Sequence, residues 1–258
     1  MKTYNPRQNV ELFHLLFLSQ LGRKLDKKLY AIKGGCNMRF YFNSIRYSED
    51  MDIDIRTISK EILQKNVNQI LRSTPFKHIL QTQDMEILHF SEPKQTPTTQ
   101  RWKISLKSSA STLPLHTKIK FSRRTFSGDM HFEAISPQIL KHYALMPIMA
   151  NHYSMESMYE QKILALALRK ETQSRDIFDL YLLIGSGINL KKLRDKKTIE
   201  HLSLAKDNAI SITFADFKGQ VIAYLPEDYQ KQYNDESIWN GIVEKVTQSL
   251  NEHSDEVN

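Results

Sequence analysis

Apolar residues near the start of the chain recur at helical spacing. Val10, Leu12, Phe13, Leu16, Phe17, Leu21 and Leu25 predict an amphipathic helix over residues 8–28. Residues 29–35, LYAIKGG, read as a short buried strand ending in a glycine turn, with a brief helix from Asn37 to Phe42. From Asp50 to Ile55 acids alternate with Met51, Ile53 and Ile55, the period of a half-buried strand. Ser59 is placed to cap a helix running to Arg72, with Glu61 in its first turn. Strand-like segments follow at 84–91, 101–107 and 115–122, while the Pro/Thr-rich stretch 92–100 reads as a loop. Beyond Ser136 the pattern turns helical, at 154–170, 174–185, 198–208, 214–224 and 236–250. Strands followed by helices predict an α+β fold, with an α/β core over 1–135 and a mainly helical region over 136–258.

Composition narrows the class. With 258 residues, 40% hydrophobic and 25% charged, the chain can bury the core of one large domain or two small ones. A single cysteine, Cys36, rules out an internal disulfide framework and fits a reducing cytoplasm. The opening MKTYNPRQN has no apolar h-region, and no apolar run approaches the roughly 18 residues of a membrane helix. No membrane partner is expected, and the expected location is cytoplasmic. The net charge of +7 is a weak pointer to an anionic partner. Its distribution says more. Between Pro93 and Gly128 there is no Asp or Glu, yet Lys94, Arg101, Lys103, Lys107, Lys118, Lys120, Arg123 and Arg124 are present, interleaved with Trp102 and Phe121. That window reads as a phosphate-facing surface. A solvated basic face that docks an acidic partner competes with it.

Residues 31–56 concentrate the candidate chemistry. Gly34 and Gly35 permit a close approach of backbone N–H groups to phosphate. Asp50, Asp52 and Asp54 on one strand face repel one another unless a cation or a reaction compensates. The plainer alternatives are an ordinary tight turn and a solvated acidic face. In the helix SRDIFDLYLL, Asp176 and Asp179 are three apart and Arg175 and Asp179 four apart, so these charges can be neighbours. Ser174 is placed to cap this helix, and its dipole accounts for Asp176 but not for Asp179 among Phe178, Leu180 and Leu182. Lys162 and Arg169 share one face of the preceding helix.

The glycine turn followed by an Asp-x-Asp strand resembles the DNA polymerase β-like nucleotidyltransferases. KGG with RYSEDMDID, then a Lys and an Arg-Asp-x-x-Asp helix in YEQKILALALRKETQSRDIFDLYLL, resembles more narrowly the AbiEii/AbiGii toxin and abortive-infection nucleotidyltransferases. The resemblance covers residues 30–185. It implies a polymerase β-like domain with a mixed sheet and a helical region that contributes to the active site. It implies transfer of NMP from NTP to an RNA such as a tRNA 3′ end, by a toxin opposed by a cognate antitoxin. Asp50 and Asp52 would hold Mg²⁺ or Mn²⁺ and would be catalytic with Lys162 and Asp179. Gly34, Gly35, Cys36, Arg46, Ser48, Lys162, Arg175 and Asp176 would bind nucleotide, with Lys118, Lys120, Arg123 and Arg124 as candidates for RNA. In this register Asp54 flanks the site. Two departures stand out: Cys36 replaces the Ser or Thr of many relatives, and HTKIKFSRR offers lysines where the superfamily draws a third carboxylate. A protein or small-molecule acceptor, such as an antibiotic, and an inactive nucleotide- or RNA-binding module are the competing readings.

Overall fold

The computed structural model describes residues 3–123, 128–188 and 195–255. It divides into two compact units, Met1–Asn43 with Tyr47–Tyr153, and Ser44–Arg46 with Ser154–Asn258. The boundary expected near residue 136 therefore moves past Tyr153, because two strands that the sequence pattern did not show lie on either side of it.

The first unit begins with helix α1 (Pro6–Lys24), capped by a reciprocal Asn5–Gln8 box with Pro6 at its start. Over residues 9–18 its predicted solvent face is buried. Asn9, Glu11 and His14 are buried along with Leu12, Phe13 and Phe17. Arg39 donates to Glu11 at 2.8 Å, and Thr117 Oγ1 lies 2.7 Å from His14 Nε2, so the buried polar groups are satisfied. Strand β1 (Tyr30–Lys33) leads into α2 (Gly34–Tyr41), and β2 (Met51–Ile55) returns beside β1. Helix α3 (Lys60–Arg72) is capped by Ser59 as the sequence predicts, and α4 (Thr74–Gln81) follows at once.

Strands β3 (Met85–Gln95), β4 (Thr99–Ser108) and β5 (Ser111–Ser122) are longer than expected. The stretch predicted as a loop over 92–100 is mostly strand, closed at its tip where the Thr96 and Thr99 backbones bond at 2.9 Å. After β6 (Met130–Ala134) and the short α5 (Pro137–His142), β7 (Met149–Tyr153) completes a mixed sheet of order β3-β4-β5-β2-β1-β7-β6. Trp102, Ile104, Ile119, Phe121, Ile53 and Met51 join α1, α3 and α4 in one core cluster.

The second unit is helical: α6 (Met155–Leu168), α7 (Ser174–Gly185), α8 (Lys196–Glu200), α9 (Leu202–Ser211), α10 (Phe214–Gln220), α11 (Glu227–Tyr233) and α12 (Glu236–Asp255). Ser174 is the first residue of α7 and not its cap; that position belongs to Gln173. The Ser174 hydroxyl is instead 3.1 Å from the Asp216 carbonyl, to which it donates. Phe178, Phe217 and Trp239 form the aromatic centre, the last two stacked at 4.5 Å.

Candidate active site

Helix α2 starts at Gly34, whose φ of +63° lies in the left-handed region that glycine tolerates without strain. A Cβ built there would stand 3.5 Å from Asp52 Oδ2, so the turn and the aspartate strand are in contact. Lys33, at the N-cap position, makes no side-chain capping bond. The first backbone N–H groups of α2 therefore have no intrahelical partner and can serve an anion.

Asp50 lies just before β2, in a segment fixed through its carbonyl groups. Ser48 Oγ donates to the Asp50 carbonyl at 2.7 Å and Cys36 Sγ at 3.4 Å, while Thr117 Oγ1 donates to the Glu49 carbonyl at 2.7 Å. Ser48 and Cys36, expected at phosphate, thus act on the aspartate loop. Cys36 is fully buried, and burial pushes its thiol well above the ordinary range. The thiol braces the aspartate loop through the Asp50 carbonyl.

Each of the three aspartates meets a lysine from a neighbouring strand. Lys118 Nζ is 3.0 Å from Asp50 Oδ2, Lys120 Nζ is 3.3 Å from Asp52 Oδ1, and Lys33 pairs with Asp54 Oδ1. Asp50 and Asp52 keep 29% and 35% of their side-chain surface exposed, Asp54 only 8%. Tyr153 also donates to Asp54 Oδ2 at 2.7 Å, so Asp54 is a buried anchor for Lys33. Asp50 Oδ1 is buried with no hydrogen-bond partner among the described residues. Burial raises the Asp50 carboxyl above its ordinary pKa, against the pull of Lys118. An orphaned carboxylate oxygen beside a second half-exposed carboxylate fits a divalent cation that takes its other ligands from phosphate and water. No group of three metal-ligating side chains is found among the described residues.

The strand register extends the face. Lys94, Arg101, Lys120, Asp52 and Lys33 stand opposite one another in sequence across β3, β4, β5, β2 and β1. Directly opposed strand residues project to the same face. The row thus holds four cations and one carboxylate, and Lys103 faces Lys118 in the next row. Like charges directly opposed destabilise a sheet, a cost that an anion relieves.

In the second unit a different ion cluster is buried. Arg46 Nη2 donates to both oxygens of Asp179, at 3.1 and 3.0 Å. Lys162 Nζ is 2.8 Å from Asp176 Oδ1 and 2.5 Å from Asp179 Oδ2, and Arg169 Nε is 2.9 Å from Asp176 Oδ2. Both aspartates have no exposed side-chain surface. Burial alone would raise the Asp179 carboxyl, but Arg46 and Lys162 outweigh it and hold the group below its ordinary value.

The structure thus gathers Gly34, Gly35, Asp50 and Asp52, with Cys36 and Ser48 behind them, and separately gathers Arg46, Lys162, Asp176 and Asp179. Arg175 is half-buried, and the expected Arg175–Asp179 pairing gives way to Arg46 and Lys162. Asp179 is enclosed by its cations and offers no open carboxylate. Lys118 and Lys120, expected at RNA, are paired with the aspartates. Arg123 donates to the Ile58 carbonyl at 3.2 Å and also to Gln100 Oε1, and Arg124 lies outside the described residues. Sequence reasoning missed Lys33 and Tyr153. Lys33 was signalled only by its place before the glycines, and Tyr153 lies on a strand that the pattern did not show.

These features agree with what the chain resembles. Residues 16–238 match the family described as nucleotidyl transferase AbiEii toxin, type IV toxin–antitoxin system. A search of curated proteins finds no match. The fold is similar to that of JHP933 from Helicobacter pylori, with a TM-score of 0.59 at 15% identity over 100% of this chain and 98% of that one. It is also similar to MenT4, a nucleotidyltransferase toxin from Mycobacterium tuberculosis H37Rv, with a TM-score of 0.64 at 14% identity over 94% of this chain and 82% of that one. No helix among the described residues is long and apolar enough to cross a membrane. A glycine turn against a paired-aspartate strand, with the family match spanning both units, makes this chain a member of the AbiEii nucleotidyltransferase toxin family, with an NTP as substrate and an antitoxin as its counterpart.

Proposed function

We propose that the protein transfers NMP from an NTP to a hydroxyl of RNA, such as a tRNA 3′ end, with Mg²⁺ or Mn²⁺ held by Asp50 and Asp52. The observation that carries this reading is the Lys94–Arg101–Lys120–Asp52–Lys33 row, which sets a metal-competent carboxylate inside a line of cations on one sheet face. When bound, the metal lowers the pKa of the attacking hydroxyl and stabilises charge on the leaving pyrophosphate. The α2 N-terminus at Gly34–Gly35 supplies backbone donors to the triphosphate. Ser48, Cys36 and Thr117 hold the aspartate loop in place, so little reorganisation accompanies binding. The acceptor hydroxyl gives up its proton to water as its oxygen bonds to the α-phosphorus and the bond to pyrophosphate breaks. Asp179 contributes by fixing Lys162 and Arg46. Arg101 and the exposed Lys94, Lys103 and Lys107 continue the basic face toward β3, a path suited to an acceptor backbone and unsuited to a cationic drug.

Incubation with each α-labelled NTP, Mg²⁺ and total RNA tests the reaction. Label should enter RNA with the wild-type chain and be lost with Asp50→Asn/Asp52→Asn, whose fold is kept because both side chains are part-exposed. Equal labelling by a well-folded double variant would sink the assignment. The acceptor path is tested separately. Lys94→Gln/Arg101→Gln/Lys103→Gln should weaken RNA binding and flatten its log–log salt slope by about 0.7 per lost single-strand contact. An unchanged slope would move the acceptor off this face.

A further inference from the structure

Lys118 and Lys120 each neutralise one of the aspartates assigned to the metal, at 3.0 and 3.3 Å, and all four side chains remain part-exposed. The third pair is built differently. Lys33 and Asp54 are largely enclosed, and Tyr153 holds the second Asp54 oxygen. Half-exposed ion pairs are weak and exchange readily, whereas enclosed and braced pairs do not.

We propose that Lys118 and Lys120 are exchangeable counter-cations, each neutralising one metal-binding carboxylate before nucleotide arrives and moving onto the phosphates of the incoming nucleotide. This rests on the reading that Asp50 and Asp52 hold the metal. A metal by itself must expel two ammonium groups that then have only water to turn to. A metal arriving with a nucleotide brings oxyanions that receive them. The metal therefore binds as its nucleotide complex and poorly alone. Opposed Lys118 and Lys103, and Lys120 and Arg101, add to the repulsion that a lone cation meets on this face.

Mn²⁺ binding, followed by the electron-paramagnetic-resonance signal of the free ion, is the test. It is run with and without a non-hydrolysable NTP analogue. Lys118→Gln/Lys120→Gln should bind Mn²⁺ alone about tenfold more tightly than wild type, the order expected from removing two half-exposed ion pairs. The enhancement by nucleotide should shrink by a similar factor. Lys118→Arg/Lys120→Arg keeps the charge and should stay near wild type, and Lys120→Gln alone gives a smaller shift if the double variant is poorly folded. Equal Mn²⁺ affinity in wild type and the Gln variants, or an undiminished nucleotide enhancement, would overturn the proposal while leaving the metal assignment standing. Adding Asp50→Asn and Asp52→Asn to the Gln pair separates the two. Loss of Mn²⁺ binding supports the carboxylate site, and retained binding puts the metal elsewhere, overturning both.

Discussion

The two units handle the same chemistry, aspartates beside Lys and Arg, in opposite ways. On the sheet, Asp50 and Asp52 meet lysines across neighbouring strands in contact with water. In the helical unit, Asp176 and Asp179 are sealed among Lys162, Arg46 and Arg169. An exposed pair contributes little and can be traded for another partner. A sealed cluster has lost its water, so each charge depends on the others. The difference teaches which charges are available for binding and which are fixed as framework. Asp179, which the motif presents as a candidate catalytic acid, has no exposed side-chain surface and is held between Arg46 and Lys162.

The most drastic way to break the comparison is to remove one sealed charge. Asp179→Asn strips the carboxylate from Arg46 and leaves Lys162 with Asp176 alone. It should lower unfolding stability by about 3 kcal/mol or more, read from urea denaturation. A loss below about 1 kcal/mol would show that the cluster is not the framework described.

Acid sharpens the comparison by acting on the units unequally. Burial lowers His14 to about 3, so the folded first unit keeps this imidazole neutral where the unfolded chain protonates it. A depressed pKa contributes stability that is full above the unfolded value and is lost as pH falls through the window from about 6.5 to about 3. His152 is lowered as well, by burial, and adds in the same direction. Asp179 is also depressed, but its contribution persists until pH falls below the ordinary carboxylate value. Between about pH 6 and pH 4 the sheet unit should weaken first, by at most about 1.4 kcal/mol per pH unit for each imidazole. His14→Gln should flatten that slope in a pH series of denaturation curves.

The smallest effect belongs to the exposed pairs. Lys118→Gln alone should change unfolding stability by less than about 1 kcal/mol. A larger loss in the same denaturation assay would mean that Lys118 is framework too, and would erase the contrast between the units.

The sequence made some of this legible and not the rest, for definite reasons. Ser59 and the period behind it marked α3 correctly, and the acid–apolar alternation marked β2, because caps and periods are local signals. Strands β6 and β7, MHFEA and MANHY, are five residues each with polar interruptions, too short to establish a period. Pro93 and the threonines made 92–100 look like a loop, although an edge strand tolerates proline. The glycine turn and the paired aspartates were readable as a motif. Their lysine partners were not, since Lys120 meets Asp52 only through the parallel register of β2 and β5. Arg46 and Asp179, 133 residues apart, carried no local sign of each other.

Strand β3 has a consequence for the chain's behaviour in a crowded solution. Eleven residues long and at the margin of the sheet, it is the kind of strand on which a second polypeptide can template itself. Pro93 withholds an N–H from any such visitor, and the register breaks between Ile87 and His89 and between Ser91 and Lys94 interrupt a continuous ladder. Lys94 adds charge repulsion between like copies. The margin that begins the basic row thus carries three features that work against such pairing.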